Sequence, residues 1–538
     1  MKRRSFITGT VGVLTLARHP MSRAADAAVK APFRLLYGSD TTHILTCTSP
    51  WHEAGQKLSA EMFLASVDES VAAGADAHLL QPDLGWVPWW PSKVMPLDEH
   101  LAWFQKQFRP DAKLNPFLQF VADGGDFVKL TLDRSREKGI AGFVSFRLND
   151  AHHKKDADDP KTTRIEAVPR FYAEHPEYRL GKQPGQTSYA AMLHDWAHEE
   201  VREFKFRLIE ELCVNYDLDG LELDFMRHPY FFKDKETTTE QRREIMTSFV
   251  ARVRRTLDAT AREGRARWLC VRIPAHEAAH DAMGLDVQAL AAAGVQMFNL
   301  STYYHLEQQT SLPALREKVP QAAVYAELTP HTAFNGKPDA RSHRRATPEQ
   351  LTTAAHLAYT GGADGISLYN WQYYRQQAHE PDPPAAEPPW EVMRQLRDPE
   401  TVAKLPQHYL LAVGFPEPQL PERPLPFGMS SASTHELKLR LAPPTDGWHG
   451  EGTLRVQGDS SLTGSVWSAR CNGHDLKPTT DVSEPYPNPF TQLLAAPDAL
   501  RAWALPASLL REEENEFEFT FTEGTAVDVI AVDVAMER

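Results

Sequence analysis

Asp219-Gly-Leu-Glu-Leu-Asp224-Phe-Met-Arg227-His-Pro229 is the stretch on which the reading of the fold turns. An apolar run ends there in two carboxylates, Glu222 and Asp224, followed at once by Arg227 and His228. In an extended strand, residues two apart share a face, so both acids point the same way. An unpaired buried carboxylate is costly, and the mouth of a barrel that performs chemistry is where such a cost is commonly accepted. The plainer alternative is a structural ion pair in which Arg227 closes the strand. Two acids, an arginine and a histidine converging on one strand end favour a functional site.

Outward from this strand, short apolar segments alternate with helix-patterned ones. Eight strands are expected, at 33–38, 75–81, 140–147, 219–225, 268–274, 295–303, 322–329 and 363–369. Between them, residues 192–213 place Ala197, Val201, Phe204, Leu208 and Leu212 on one helical face, and residues 240–262 do the same with Ile245, Phe249, Val253 and Leu257. Gly74, Gly139, Gly294 and Gly361-Gly362 each stand just before a strand, where helices commonly end. Strand–helix alternation repeated eight times predicts an α/β fold, a (β/α)8 TIM barrel over residues 30–400. A doubly wound open sheet is the competing fold, but no Gly-rich phosphate loop follows the first strand, and no cofactor is expected. Prolines crowd residues 376–427, with one short helix around Trp390 to Leu396, and residues 401–427 read as a Pro-rich connector. From 428 to 538 the pattern turns to period two, as in Glu436-Leu-Lys-Leu-Arg-Leu and Asn515-Glu-Phe-Glu-Phe-Thr-Phe, which predicts a C-terminal antiparallel β-sandwich.

The 538 residues carry a formal charge of −14, which argues against nucleic acid or anionic lipid as the main partner. Four cysteines (Cys47, Cys213, Cys270 and Cys471) are scattered without metal spacing and read most simply as buried free thiols. The start Met1-Lys-Arg-Arg-Ser-Phe-Ile, the apolar stretch Phe6 to Ala17 and the small-x-small site Ala25-Asp26-Ala27 form a twin-arginine signal peptide over residues 1–27. A periplasmic or secreted protein with no membrane span in its mature chain is expected. The sequence does not state an oligomeric state.

The C-terminal ends of barrel strands carry the chemistry in such folds. Here all eight run into polar residues. Asp40 and His43 follow strand one, and strand two ends at Gln81 before a loop with Trp86, Trp89 and Trp90. Arg147, Asn149, Asp150, His152 and His153 follow strand three, with Asp224, Arg227 and His228 after strand four. Strand five leads into Arg272, His276 and Glu277, and strand six into Ser301, Tyr303, Tyr304 and His305. Strand seven offers Glu327 and His331, and strand eight Asn370 and Trp371. Aromatic platforms beside bidentate Asp, Asn, Arg and His suit a carbohydrate, which shows an apolar face and a rim of hydroxyls. Glycoside hydrolysis needs one ionised and one protonated carboxyl group. Asp224 is the candidate ionised partner, because a guanidinium beside it, expected to be that of Arg227, would lower its pKa. Glu327 is the first candidate acid and Glu277 the second; Glu222 is either the acid or a deeper residue that holds a sugar hydroxyl or Arg147. A divalent metal held by Asp150, His152 and His153 with His43 or His276 is the weaker reading beside hydroxyl binding, since no ligand pair has helical i,i+4 spacing; no metal is expected. A serine hydrolase is disfavoured because no strand leads into a Gly-x-Ser-x-Gly elbow.

The strand-four motif, with the barrel order and the C-terminal sandwich, resembles bacterial exported glycosyl-hydrolase-like barrels over most of the mature chain. It is distantly similar to strand four of the α-amylase-type barrels, whose last Asp is the nucleophile, a role the resemblance gives to Asp224, with Arg227 and His228 following. That family's arginine two residues before the nucleophile is Glu222 here. The motif also shares its Asp-Gly opening with chitinase-type barrels, whose catalytic Glu would fall on Met226. Trp503 to Phe519 is similar to the edge of galactose-binding-like sandwiches. The resemblance implies an exported glycoside hydrolase acting on a poly- or oligosaccharide through two carboxylates. The alternatives are a non-catalytic carbohydrate-binding barrel or a metal-assisted hydrolase on the same scaffold.

Overall fold

The computed structural model describes residues 31–536 apart from 48, 50–52, 54, 155–158, 160, 184–188, 335–342, 376–385, 415–423 and 492–493. The twin-arginine leader expected over residues 1–27 lies outside the described residues. Eight strands form a closed, parallel barrel: β1 (Leu35–Ser39), β2 (Ala77–Leu80), β3 (Ala141–Arg147), β4 (Gly220–Asp224), β5 (Trp268–Pro274), β6 (Met297–Ser301), β7 (Ala323–Leu328) and β8 (Gly365–Tyr369). Each pairs with the next in sequence, and β8 closes on β1. Every strand falls on the segment that its apolar run marks.

Helices cover the outside. Glu199–Asn215 and Thr239–Ala259 bury the expected stripes, Val201, Phe204, Leu208 and Leu212 on the first and Phe249, Val253 and Leu257 on the second. The first starts later than its pattern suggests, because residues 190–192 form a short 3-10 turn. Thr238 and Thr347 open their helices with capping boxes closed by Gln241 and Gln350, satisfying amides that would otherwise lack partners. Gly74, Gly139, Gly294 and Gly362 take positive φ between a helix and the next strand, a conformation that only glycine adopts without strain. Outward-facing Val144, Phe146, Leu221, Leu223, Leu269 and Val271 join the helices in one core.

Inside the barrel, register sorts the side chains into layers. Leu36, Leu79, Phe143, Met297 and Tyr325 form a separate apolar cluster in the lower half. Phe143 lies opposite Gly220, where an added Cβ would come within 2.4 Å of its ring. Two residues further along the same faces the lining turns polar: Ser145 pairs with Glu222, Arg147 with Asp224, and Asp224 with Arg272.

The C-terminal region forms a six-stranded sheet facing a four-stranded one, both antiparallel. Their core includes Leu437, Leu454, Trp503, Phe517, Phe519, Val532 and Val534. Inside the segment read as a connector, Gln407–Ala412 is a strand paired with Val527–Met536, so the sheet begins before residue 428. Its apolar run Tyr409-Leu410-Leu411 is too short to stand out among the flanking prolines. This strand sits against the barrel helix Pro348–Thr360, where Thr353 Oγ1 accepts from the His408 amide at 2.8 Å. The buried Gln308 carboxamide donates to the carbonyls of Gln350 (3.0 Å) and His408 (3.1 Å) and accepts from the Leu410 amide (2.8 Å). Gln309 exchanges two bonds with the backbone of Arg440. All four cysteines are buried and free. Among the described residues no helix is long and apolar enough to cross a membrane.

Candidate active site

The C-terminal ends of the strands hold one continuous polar network. At its centre, Asp224 accepts from Arg272 Nη1 (3.0 Å) and from the Met226 amide (2.8 Å) on Oδ1, and from Gln81 Nε2 (3.1 Å) on Oδ2. The guanidinium beside Asp224 is therefore that of Arg272, not of Arg227 as the sequence suggests. Strand β5 places Arg272 directly beside Asp224 in register, whereas Arg227 lies past the strand end. Arg272 also makes a bidentate pair with Glu327, Nε to Oε2 at 2.5 Å and Nη2 to Oε1 at 2.7 Å, and lies 4.0 Å from the centre of the Tyr369 ring. Glu327 accepts further from Ser301 Oγ (2.5 Å) and Asn299 Nδ2 (3.4 Å). Four donors converge on Glu327, an arrangement that orients Arg272 rather than one that delivers a proton. Asp224 Oδ2, with a single donor, keeps acceptor capacity for a ligand.

Glu222 lies one step deeper on the same face of β4. It accepts from Ser145 Oγ (2.6 Å) and Asn299 Nδ2 (3.0 Å) and lies 3.5 Å from Cys270 Sγ. It holds neither Arg147 nor an open surface. Burial, reinforced by the negative charge of Asp224, pushes its pKa up to about 7. The two acids of the strand-four motif thus occupy different electrostatic settings, one against a guanidinium and one in a pocket that favours its proton.

The network continues through Arg147, which donates to Gln81 Oε1 (2.6 Å) and to Asp150 (3.1 Å). Asp150 accepts from the amide and Nδ1 of His152, at 2.6 and 2.8 Å. Burial and the nearby Arg227 lower the pKa of His152 to about 4, so its ring is neutral at pH 7, with Nδ1 carrying the proton towards Asp150 and Nε2 accepting from Arg227 Nη2. Arg227 also approaches the Tyr303 hydroxyl (3.5 Å) and the Tyr304 ring (5.2 Å). On the other side, Asp40 accepts from Thr42 (2.5 Å), Tyr373 (2.6 Å) and Asn370 (3.2 Å). Burial would raise the pKa of Asp40; the Arg147 charge and these hydroxyl donors more than reverse that. Tyr303 and Asn370, just beyond β6 and β8, both take left-handed backbone conformations, a cost that surrounding structure must support, more so for Tyr303 than for Asn370. The network approaches solvent at His152, whose side chain is 24% exposed, and at the half-buried Tyr304, Thr42 and Tyr373.

Other residues expected at the site lie apart from this network. Trp89 is buried and stacked on Phe117 at 4.0 Å, and Trp90 donates its indole N–H to Glu211. Trp371 is buried against Tyr374 and donates to the Leu328 carbonyl. Asn149 clamps the backbone, donating to the carbonyls of His194 and Tyr230. His276 pairs with Glu307 at 2.7 Å and Glu277 with Lys318, both outside the network. Glu277 therefore has no place beside Asp224. His43 is buried at the start of a one-turn helix, and His305 is buried with its carbonyl accepting from Thr302. Conversely, Ser145, Asn299, Tyr369 and Tyr373 belong to the network beyond the expected site residues, as do Gln81 and Ser301, which the sequence marks only as polar strand ends; apart from Tyr373, in the turn Trp371–Tyr374 after β8, their signal is the inward period-two position that each strand repeats.

Asp150, His152 and His228 place potential ligand atoms within 4.8 Å of one another, a different set from the one the sequence suggested. Both ring nitrogens of His152 are engaged, His228 Nδ1 accepts from the Ala151 amide at 3.2 Å, and the Arg227 cation stands against the cluster. That donor set fits a hydrogen-bonded relay better than a divalent ion.

No protein-family model matches the sequence, and no curated protein matches it. Among solved structures, the chain is similar to a bacterial fucosidase crystallised with an inhibitor (11% identity, 93% of this chain and 92% of that one, TM-score 0.34). It is also similar to the α-amylase of Geobacillus thermoleovorans in complex with acarbose (12% identity, 91% and 99%, TM-score 0.38). A third is α-L-fucosidase isoenzyme 1 from Paenibacillus thiaminolyticus (11%, 91% and 97%, TM-score 0.35). Likenesses this distant leave any assignment to the chain's own residues. Those residues define a (β/α)8 barrel with an appended β-sandwich and a buried, charged network at the barrel mouth.

Proposed function

We propose that the protein is an exported glycoside hydrolase acting on a poly- or oligosaccharide, with Asp224 as nucleophile or base. The observation that carries this reading is the divergence of two carboxyl groups on one face of β4. Asp224 is paired with Arg272, while burial holds a proton on Glu222 up to about pH 7. One carboxyl group that keeps its proton beside a second that is held by a guanidinium is what acid–base hydrolysis requires. Glu222 is the carboxyl group best placed to hold the proton, and Glu327, the sequence's first candidate, serves to position Arg272. Tyr304, Arg227 and His152 stand where a sugar would enter.

The test is reducing-sugar and aryl-glycoside release by the mature protein across a broad substrate panel, beside Asp224→Asn and Glu222→Gln. Loss of all turnover in Asp224→Asn is expected. Glu222→Gln should lose hydrolysis of natural glycosides but spare aryl glycosides whose leaving group needs no proton. Wild-type turnover in a folded Asp224→Asn protein removes Asp224 from the mechanism. Silence of the wild type across the panel, with glycan binding retained, replaces the hydrolase by a carbohydrate-binding barrel.

A further inference from the structure

Three arginines lie in the network, and they are not equivalent. Arg147 is paired with Asp150, and Arg272 with both Asp224 and Glu327. Arg227 is 92% buried by its relative exposure of 8%, yet among the described residues it has no carboxylate within ion-pair distance. Its Nε has no hydrogen-bond partner. Its Nη groups meet a neutral imidazole and a phenol, His152 and Tyr303, and its face lies over Tyr304. Asp150, which holds His152, and Asp40 feel its charge through space, but neither makes a hydrogen bond or ion pair with it among the described residues.

A buried cation without an anion is unfavourable, and a guanidinium presents a planar donor edge that matches a carboxylate. The neighbours are also specific. Asp150 fixes His152 as the Nδ1–H tautomer, which turns an acceptor lone pair toward Arg227 and so orients the guanidinium without neutralising it. Tyr304, half-buried beside it, supplies an aromatic surface that reaches toward solvent.

We infer that Arg227 is the receptor for a substrate carboxylate, so that the sugar bound at the barrel mouth is a uronic acid or another carboxylated sugar. This rests on the carbohydrate reading above and adds the substrate class. His152 is a positioning residue in this arrangement, and Arg227 is the group that touches the ligand.

The test is direct binding to the full mature chain, by titration calorimetry, of glucuronate and galacturonate, their oligosaccharides, the neutral parent sugars and a 6-sulfated hexose. The wild type is expected to bind a uronate at least about tenfold more tightly than its neutral parent, as a charge-assisted pair provides. Arg227→Gln should bring the two to parity. Arg227→Lys, which keeps the charge but not the planar fork, should retain part of the preference and guards against misreading a folding defect. Equal affinity for acidic and neutral sugars in the wild type, no uronate binding at millimolar concentration, or a preference surviving in Arg227→Gln each overturns the inference. Preference for the sulfated sugar overturns the carboxylate assignment. Hydrolysis of neutral glycans without uronate preference would sink this inference and leave the hydrolase standing; uronate binding abolished in Arg227→Gln, with no hydrolysis of any acidic glycan, would do the reverse.

Discussion

The lower and upper halves of the barrel interior are built from the same eight strands, and their contents are opposite. Below, Leu36, Leu79, Phe143, Met297 and Tyr325 fill the bore with apolar groups. Above, one or two inward steps along the same strands, lie Gln81, Arg147, Asp224, Ser301 and Glu327, all buried. Strand β3 shows the change in a single run: Phe143, Ser145, Arg147. Packing alone would continue the lower pattern upward, because apolar burial stabilises by about 25 cal/mol per Å² while buried charge is costly unless it is paired. The upper half therefore forgoes stability that the lower half supplies.

That contrast can be broken by substitutions that separate rate from stability. The largest effect is expected for Asp224→Asn: turnover on the best glycoside found should fall by about 10³-fold or more, with cooperative unfolding preserved. Glu327 still pairs with Arg272 in that variant, so collapse of the fold in a thermal melt would show that Asp224 belongs to the stability side of the comparison. Phe143→Ala should do the opposite, costing about 3–5 kcal/mol in urea unfolding through a cavity facing Gly220, with turnover per folded molecule unchanged. Arg272→Gln should register on both readouts. It leaves Asp224 and Glu327 buried without their cation, a loss of about 3–5 kcal/mol, and it removes the group that sets Asp224.

A smaller effect, but one with a definite sign, belongs to Glu222. Its folded pKa of about 7 exceeds the ordinary value of 4.5, so the folded state holds a proton that the unfolded chain releases. Its contribution to stability is full below about pH 4.5 and is lost as pH rises through 7; the total is about 3 kcal/mol at most. Glu222→Gln should therefore flatten the decline in melting temperature between pH 5 and 8. An unchanged slope in the variant would show that Glu222 does not carry that proton.

Much of the scaffold was legible because strand and helix periods are local properties. The Gly-ended helices and apolar runs locate each barrel strand, and the acids at β4 identify the mouth. What was not legible depends on distance. Trp89, Trp90 and Trp371 read as sugar platforms because an indole in a polar loop looks the same whether it faces a ligand or, as here, Phe117, Glu211 or Tyr374. Arg227 lies three residues from Asp224 and Arg272 forty-eight, and chain proximity favours the wrong one; only the β4–β5 register reveals that Arg272 is the partner. Glu327 is a site residue in the sequence reading too, but its four donors, contributed by two other strands, β5 and β6, leave no trace in its own neighbourhood. The strand at Gln407–Ala412 was hidden by prolines on both sides.

Gln308 gives the two modules a common fate. Its carboxamide is fully engaged only when the strand Gln407–Ala412 lies against the barrel helix, so a chain cut after residue 406 would strand a buried amide and bare one flank of that helix. The sandwich is thus no detachable passenger. Engineers seeking a minimal barrel should find that trimming it yields insoluble material, and a full-length chain should melt in a single transition.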